Sequence, residues 1–173
     1  MWQIFQSKSG KIALGGILAA GSLSIMMVGG IFPFWRSGLA ALSGLFPMIG
    51  VLIAGRVVGY LCWFTVGVLG MILLPDKGIA LLYFLFLGLY PVLKEQIESI
   101  RKLPLEWLIK LIFFNLILSI FCFFFQHLFS LGLSDWLLNK KSFLYLIGNI
   151  VFVCYDIILS RIVGILRSYL RYR

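Results

Sequence analysis

The chain has 173 residues, of which 62% are hydrophobic and only 12% charged, with a net charge of +9. A soluble domain is nearer half apolar and a quarter charged, and at this size it cannot hide so much apolar surface from water. The composition therefore predicts an all-α, polytopic transmembrane helical bundle forming a single integral membrane domain over 1–173. The excess positive charge flanks apolar runs as orientation signals do, so no nucleic-acid partner is expected and the lipid bilayer is the principal surrounding.

The start, MWQIFQSKSGK, leads into a first run at residues 12–31. No small-x-small cleavage site closes that run, which predicts a retained helix. FPFWRSG then interrupts the pattern with Pro33 and Gly38. A second run, 39–54, is closed by Gly55-Arg56, and a third, 57–74, ends at Pro75-Asp76-Lys77. The tight break at Gly55 predicts an antiparallel helical hairpin. The second run is short enough that a re-entrant segment is the alternative. A fourth run covers 78–92 and carries Pro91 near its end.

KEQIESIRKLPLE, residues 94–106, is strongly polar, with Ile97, Ile100 and Leu103 at intervals of three. That suits an amphipathic helix on the membrane surface. A Phe-dense fifth run, 107–131, the connection SDWLLNKKS, and a sixth run, 143–166, complete the chain before the tail RSYLRYR. Six spans of about 20 residues leave only short loops.

Placing both termini inside the cell puts Lys8, Lys11, Arg56, Lys94, Arg101, Lys102, Lys110, Arg161, Arg167, Arg171 and Arg173 on the inner side. Only Arg36, Lys77, Lys140 and Lys141 then lie outside. The asymmetry predicts an N-in/C-in arrangement. Lys110 and Arg161 fall within their runs and are expected to snorkel to the inner headgroups.

Catalytic and metal-binding patterns are absent. There is no H-E-x-x-H, Walker loop or G-x-S-x-G, the single histidine is His127, and Cys62, Cys122 and Cys154 sit inside apolar runs as small hydrophobes. Neither an enzyme, a metal site nor a cofactor is expected, and without a P-loop the chain has no ATP-driven step of its own.

Three groups of residues remain as candidates. Asp156 sits in mid-run, with Asn149 seven positions earlier on the same helical face and Asn115 on the fifth run. This buried polar seam reads either as a functional site or as interhelical hydrogen bonding, with Lys110 or Asn115 as the partner of Asp156. Gly16, Ala20 and Ser24 recur every four residues, as helix-packing faces do. They serve either packing within the chain or docking of a partner. Trp35, Arg36, Asp76, Trp136, Asn139 and Lys140 fall at the outer loops, either as the mouth of a small-molecule site or as interfacial anchors.

The order KIALGGILAA, a Pro-containing first outer loop, a Gly-rich hairpin and six compact spans resembles the substrate-binding S components of energy-coupling factor transporters. GLYPVLKEQIES followed by LEWLIKLIFFN is also similar to uncharacterised membrane proteins of Gram-positive bacteria. The resemblance implies a bacterial cell-membrane protein that captures a small molecule such as a vitamin. Its partners would be a transmembrane T subunit and two ATPases, with Gly16, Ala20 and Ser24 as the docking face. Patterns diagnostic of riboflavin, thiamine, biotin or cobalt are missing, and so is an N-terminal metal-binding histidine. The competing expectations are a membrane scaffold or assembly subunit and, more remotely, a lipid-modifying enzyme.

Overall fold

A computed structural model describes residues 7–100, 102–128 and 141–171. The described residues form helices and no strand. They are α1 (Lys8–Ile31), a 3-10 turn (Pro33–Trp35), α2 (Arg36–Ser43), α3 (Leu45–Ala54), α4 (Arg56–Leu73), α5 (Lys77–Leu82), a π segment (Tyr83–Leu87), α6 (Leu89–Glu98), α7 (Leu103–Leu128) and α8 (Lys141–Arg171). Together they provide six apolar stretches long enough to cross a membrane: Lys8–Ile31, Arg36–Ala54, Arg56–Leu73, Lys77–Glu98, Leu103–Phe123 and Phe143–Tyr169. The protein is a membrane protein of helical construction.

The chain divides into two compact units, Met1–Arg101 and Lys102–Arg173. In the first, α1 packs against α2, α3 and α4, while α6 packs against α3 and α4. Ser7 caps α1 by accepting the Gly10 N–H at 3.0 Å. The helix ends at Phe32, which is extended (φ −109°, ψ 94°), as a residue preceding proline tends to be. Gly55 joins α3 to α4 at φ 98°, a conformation that a Cβ makes costly. This is the hairpin that the short break implies.

The second span, expected at 39–54, comprises α2 and α3 and covers the 19 residues Arg36–Ala54. Its joint, Gly44, abuts the Leu87 carbonyl where any Cβ would stand. The fourth span is longer than expected because Pro91 does not end it. Proline lacks an N–H and disturbs the preceding turn. Here a π segment takes up the change, with Gly88 N–H donating to the Tyr83 carbonyl at 2.8 Å.

Residues 94–106 do not form one surface helix. Residues 94–98 complete α6, a turn follows at 99–100, and α7 begins at Leu103 with Pro104 in its first turn. Proline is tolerated in that position because the N–H it lacks would have no intrahelical partner.

The second unit is an antiparallel pair, α7 and α8. Phe114 and Phe152 stack across it with centroids 4.5 Å apart. On α8 the buried Phe152, Asp156, Leu159 and Val163 follow alternating steps of four and three, the spacing of a helix–helix seam.

Candidate functional site

The polar seam lies wholly in the second unit. As numbering rises along α7 it falls along α8, so Lys110, Asn115 and Ser119 meet Asp156, Asn149 and Tyr145 in turn. Lys110 Nζ donates to Asp156 Oδ2 at 3.1 Å. The lysine is 4% exposed, so it does not snorkel; it turns inward to the carboxylate and stands 5.5 Å from the Trp107 ring centroid. Two charges at membrane depth are costly singly, and pairing offsets part of that cost.

Asn115 and Asn149 exchange two hydrogen bonds, each 3.1 Å. Each Nδ2 also donates 2.8 Å to the carbonyl four residues before it, Leu111 and Tyr145 respectively. Ser119 Oγ and the Tyr145 hydroxyl lie 2.6 Å apart. The carboxamides thus satisfy each other, an arrangement suited to holding two helices in register. Arg161, in contrast, is exposed.

The first unit holds a second buried polar node that sequence reasoning missed. Ser22 Oγ donates to the Ser43 carbonyl at 3.0 Å and lies 3.2 Å from the Tyr83 hydroxyl. The Ser43 carbonyl is available because Pro47, four residues on, has no N–H to give it. Likewise the π segment diverts Gly88 N–H from Phe84, and the Phe84 carbonyl accepts Trp63 Nε1–H at 2.9 Å. The Trp63 ring stacks on Phe84 at 5.2 Å. Pro47 was the available signal for the first of these, marking a disturbed backbone bond one turn upstream; the Phe84 carbonyl is released by the π segment.

Of the residues assigned to an outer mouth, Arg36 and Asp76 are joined by a 3.0 Å ion pair. Asp76 also caps α5 by accepting Ile79 N–H at 3.2 Å. Lys77 donates to the carbonyls of Met71, Ile72 and Leu74 at 2.8–3.2 Å, covering the end of α4. Arg36 Nε is buried without a hydrogen-bond partner. Trp35 is 70% exposed. Trp136, Asn139 and Lys140 lie outside the described residues, as does the side chain of His127.

Gly16, Ala20 and Ser24 lie on an exposed face of α1. A Cβ at Gly16 would meet nothing within 4 Å, and Ser24 Oγ turns back to the Ala20 carbonyl at 2.8 Å. The neighbouring face, with Leu14, Leu18, Ser22 and Met26, is the buried one.

A cleft of about 800 Å³ opens beside this stripe, between the first half of α1 and the start of α4. Its α1 wall includes Gly15, Gly16 and Ala19, its α4 wall Val58, Leu61, Cys62 and Thr65, and Lys8, Lys11 and Arg56 also line it. Because α1 and α4 both begin where α3 ends, the cleft lies at the end of the unit opposite Arg36 and Asp76.

No protein-family model, curated protein or solved structure matches the chain. Among the described residues, no group of three or more His, Cys, Asp or Glu side chains is placed to hold a metal ion.

Proposed function

We propose that the chain is a non-catalytic, multi-pass subunit of a bacterial cell membrane, the substrate-capture component of an uptake transporter of the energy-coupling factor type. The observation that carries this reading is the open face of α1. Gly16, Ala20 and Ser24 present small side chains outward, and nothing stands within 4 Å of a Gly16 Cβ. Such a surface admits another helix to close backbone approach. In this reading the occupant is the transmembrane T subunit, served by two ATPases, because the chain has no ATP-binding loop of its own.

Both termini face the cytoplasm in the proposal, so that the end bearing Trp35, Arg36 and Asp76 looks outward and receives a small molecule. The unpartnered Arg36 Nε supports that end, since a buried donor gains from a ligand acceptor. A second reading, a scaffold of a larger membrane complex, is favoured by the Arg36–Asp76 pair, in which the two charged groups of that end already satisfy one another.

Affinity purification from the native membrane, with mass spectrometry of what accompanies the chain, separates the two. The transporter reading expects a T subunit with two ATPases, lost in Gly16→Leu and Ala20→Leu variants that remain folded. A different, reproducible membrane complex in their place selects the scaffold. Retention of the T subunit by both leucine variants rejects the α1 face as the docking surface.

A further inference from the structure

The cleft between α1 and α4 combines two chemistries. Its interior is apolar and built from small residues on the α1 side: Gly15, Gly16 and Ala19. Three cations, Lys8, Lys11 and Arg56, also line it, and among the described residues no acidic side chain does. Among the described residues none of these cations forms an ion pair, whereas Arg36, Lys94 and Lys110 each do. The carboxylate of Glu98, on the fourth span, is engaged by Lys94 at 2.6 Å.

The helices add to this potential. α1 and α4, of 24 and 18 residues, both begin at this end, and α4 has no side-chain cap on its first N–H groups. Their positive dipole ends coincide with the cations. The depth is also informative. From Lys8 to Ala19 the helical rise is about 16 Å, close to half of a hydrocarbon core of about 30 Å. The cleft therefore runs from the headgroup level into the apolar depth of one leaflet.

We propose that this cleft binds one anionic phospholipid from the leaflet at which α1 and α4 begin, its phosphate at Lys8, Lys11 and Arg56 and an acyl chain along Gly15, Gly16 and Ala19. A zwitterionic lipid brings no net charge to three unpaired cations, and a free anion leaves the apolar walls uncovered. The site shares Gly16 with the docking face but is otherwise distinct: Ala20 and Ser24 do not line it, and the three cations are not part of that face.

The test is native mass spectrometry of the full chain released from detergent, titrated with phosphatidylglycerol, phosphatidylcholine or inorganic phosphate. The expected result is one tightly held phosphatidylglycerol, preferred over phosphatidylcholine. At roughly one order of magnitude or less per cation, K8Q/K11Q/R56Q should weaken it by about 100-fold. R161Q/R167Q, removing cations on α8, should leave it unchanged. Thr65→Phe, which fills the apolar end from an exposed position, should also expel the lipid.

Equal retention of phosphatidylcholine, insensitive to the triple substitution, would overturn the proposal in favour of ordinary solvating lipid. Inorganic phosphate displacing phosphatidylglycerol, with Thr65→Phe without effect, would overturn it in favour of a free-anion site. If the triple variant does not fold, K8Q/K11Q and Thr65→Phe decide the question: binding unchanged in both rejects the cleft.

Discussion

Lys110 and Asp156, 46 positions apart in the chain, meet at 3.1 Å in a buried contact between α7 and α8. Each makes the other tolerable at membrane depth, because the unpaired ion would carry the full desolvation penalty. Replacing either alone, as Lys110→Met or Asp156→Leu, should destabilise the helix pair by about 3–5 kcal/mol. The double variant should recover most of that loss, since a well-packed apolar pair removes both charges. Unfolding in mixed micelles measures the cycle; equal losses in single and double variants would contradict mutual compensation.

The asparagine pair should be worth less. Asn115→Leu or Asn149→Leu breaks the reciprocal 3.1 Å bonds, and coupling in such cycles is about 0.6 kcal/mol, reaching roughly 1.7. A coupling indistinguishable from zero would mean that each amide is held by its own helix carbonyl and contributes nothing to register.

Gly55 stands at φ 98°. Gly55→Ala should therefore cost about 1–3 kcal/mol, read as a lower unfolding midpoint with the hairpin intact. Gly44→Ala should be worse, because its Cβ would collide with the Leu87 backbone carbonyl and drive α2 from the π segment. A Gly44→Ala protein as stable as the parent would rule out that close approach.

Trp63 donates to the Phe84 carbonyl that the π segment releases. Trp63→Phe keeps a ring against Phe84 but leaves that carbonyl without its 2.9 Å donor, which should cost about 1–3 kcal/mol. Trp35→Phe, at an exposed position, should leave stability unchanged and serves as the comparison.

The proposed orientation has a direct readout. In a background lacking Cys62, Cys122 and Cys154, a membrane-impermeant thiol reagent applied to intact cells should label F34C and spare K8C. Labelling of K8C alone would invert the topology and, with it, the leaflet from which the cleft takes its lipid.

Much of this protein can be read from composition and spacing alone. Hydropathy over windows of about 20 residues does not depend on which helix touches which, so the six spans were legible, as were the break at Gly55 and the shared face of Asn149 and Asp156. Tertiary structure decided what those residues do. Lys110 had a snorkelling path and a buried partner as alternatives, and only the register of α7 against α8 selects Asp156. The segment 94–106 has an amphipathic period, yet two spans end and begin within it, because burial of Ile97 and the proline start of α7 outweigh that period. Ser22 and Trp63 looked ordinary because their partners are backbone carbonyls, of Ser43 and Phe84, released by Pro47 and the π segment. The cleft was equally hidden: Arg56 is far in sequence from Lys8 and Lys11 and joins them only where α1 and α4 begin side by side.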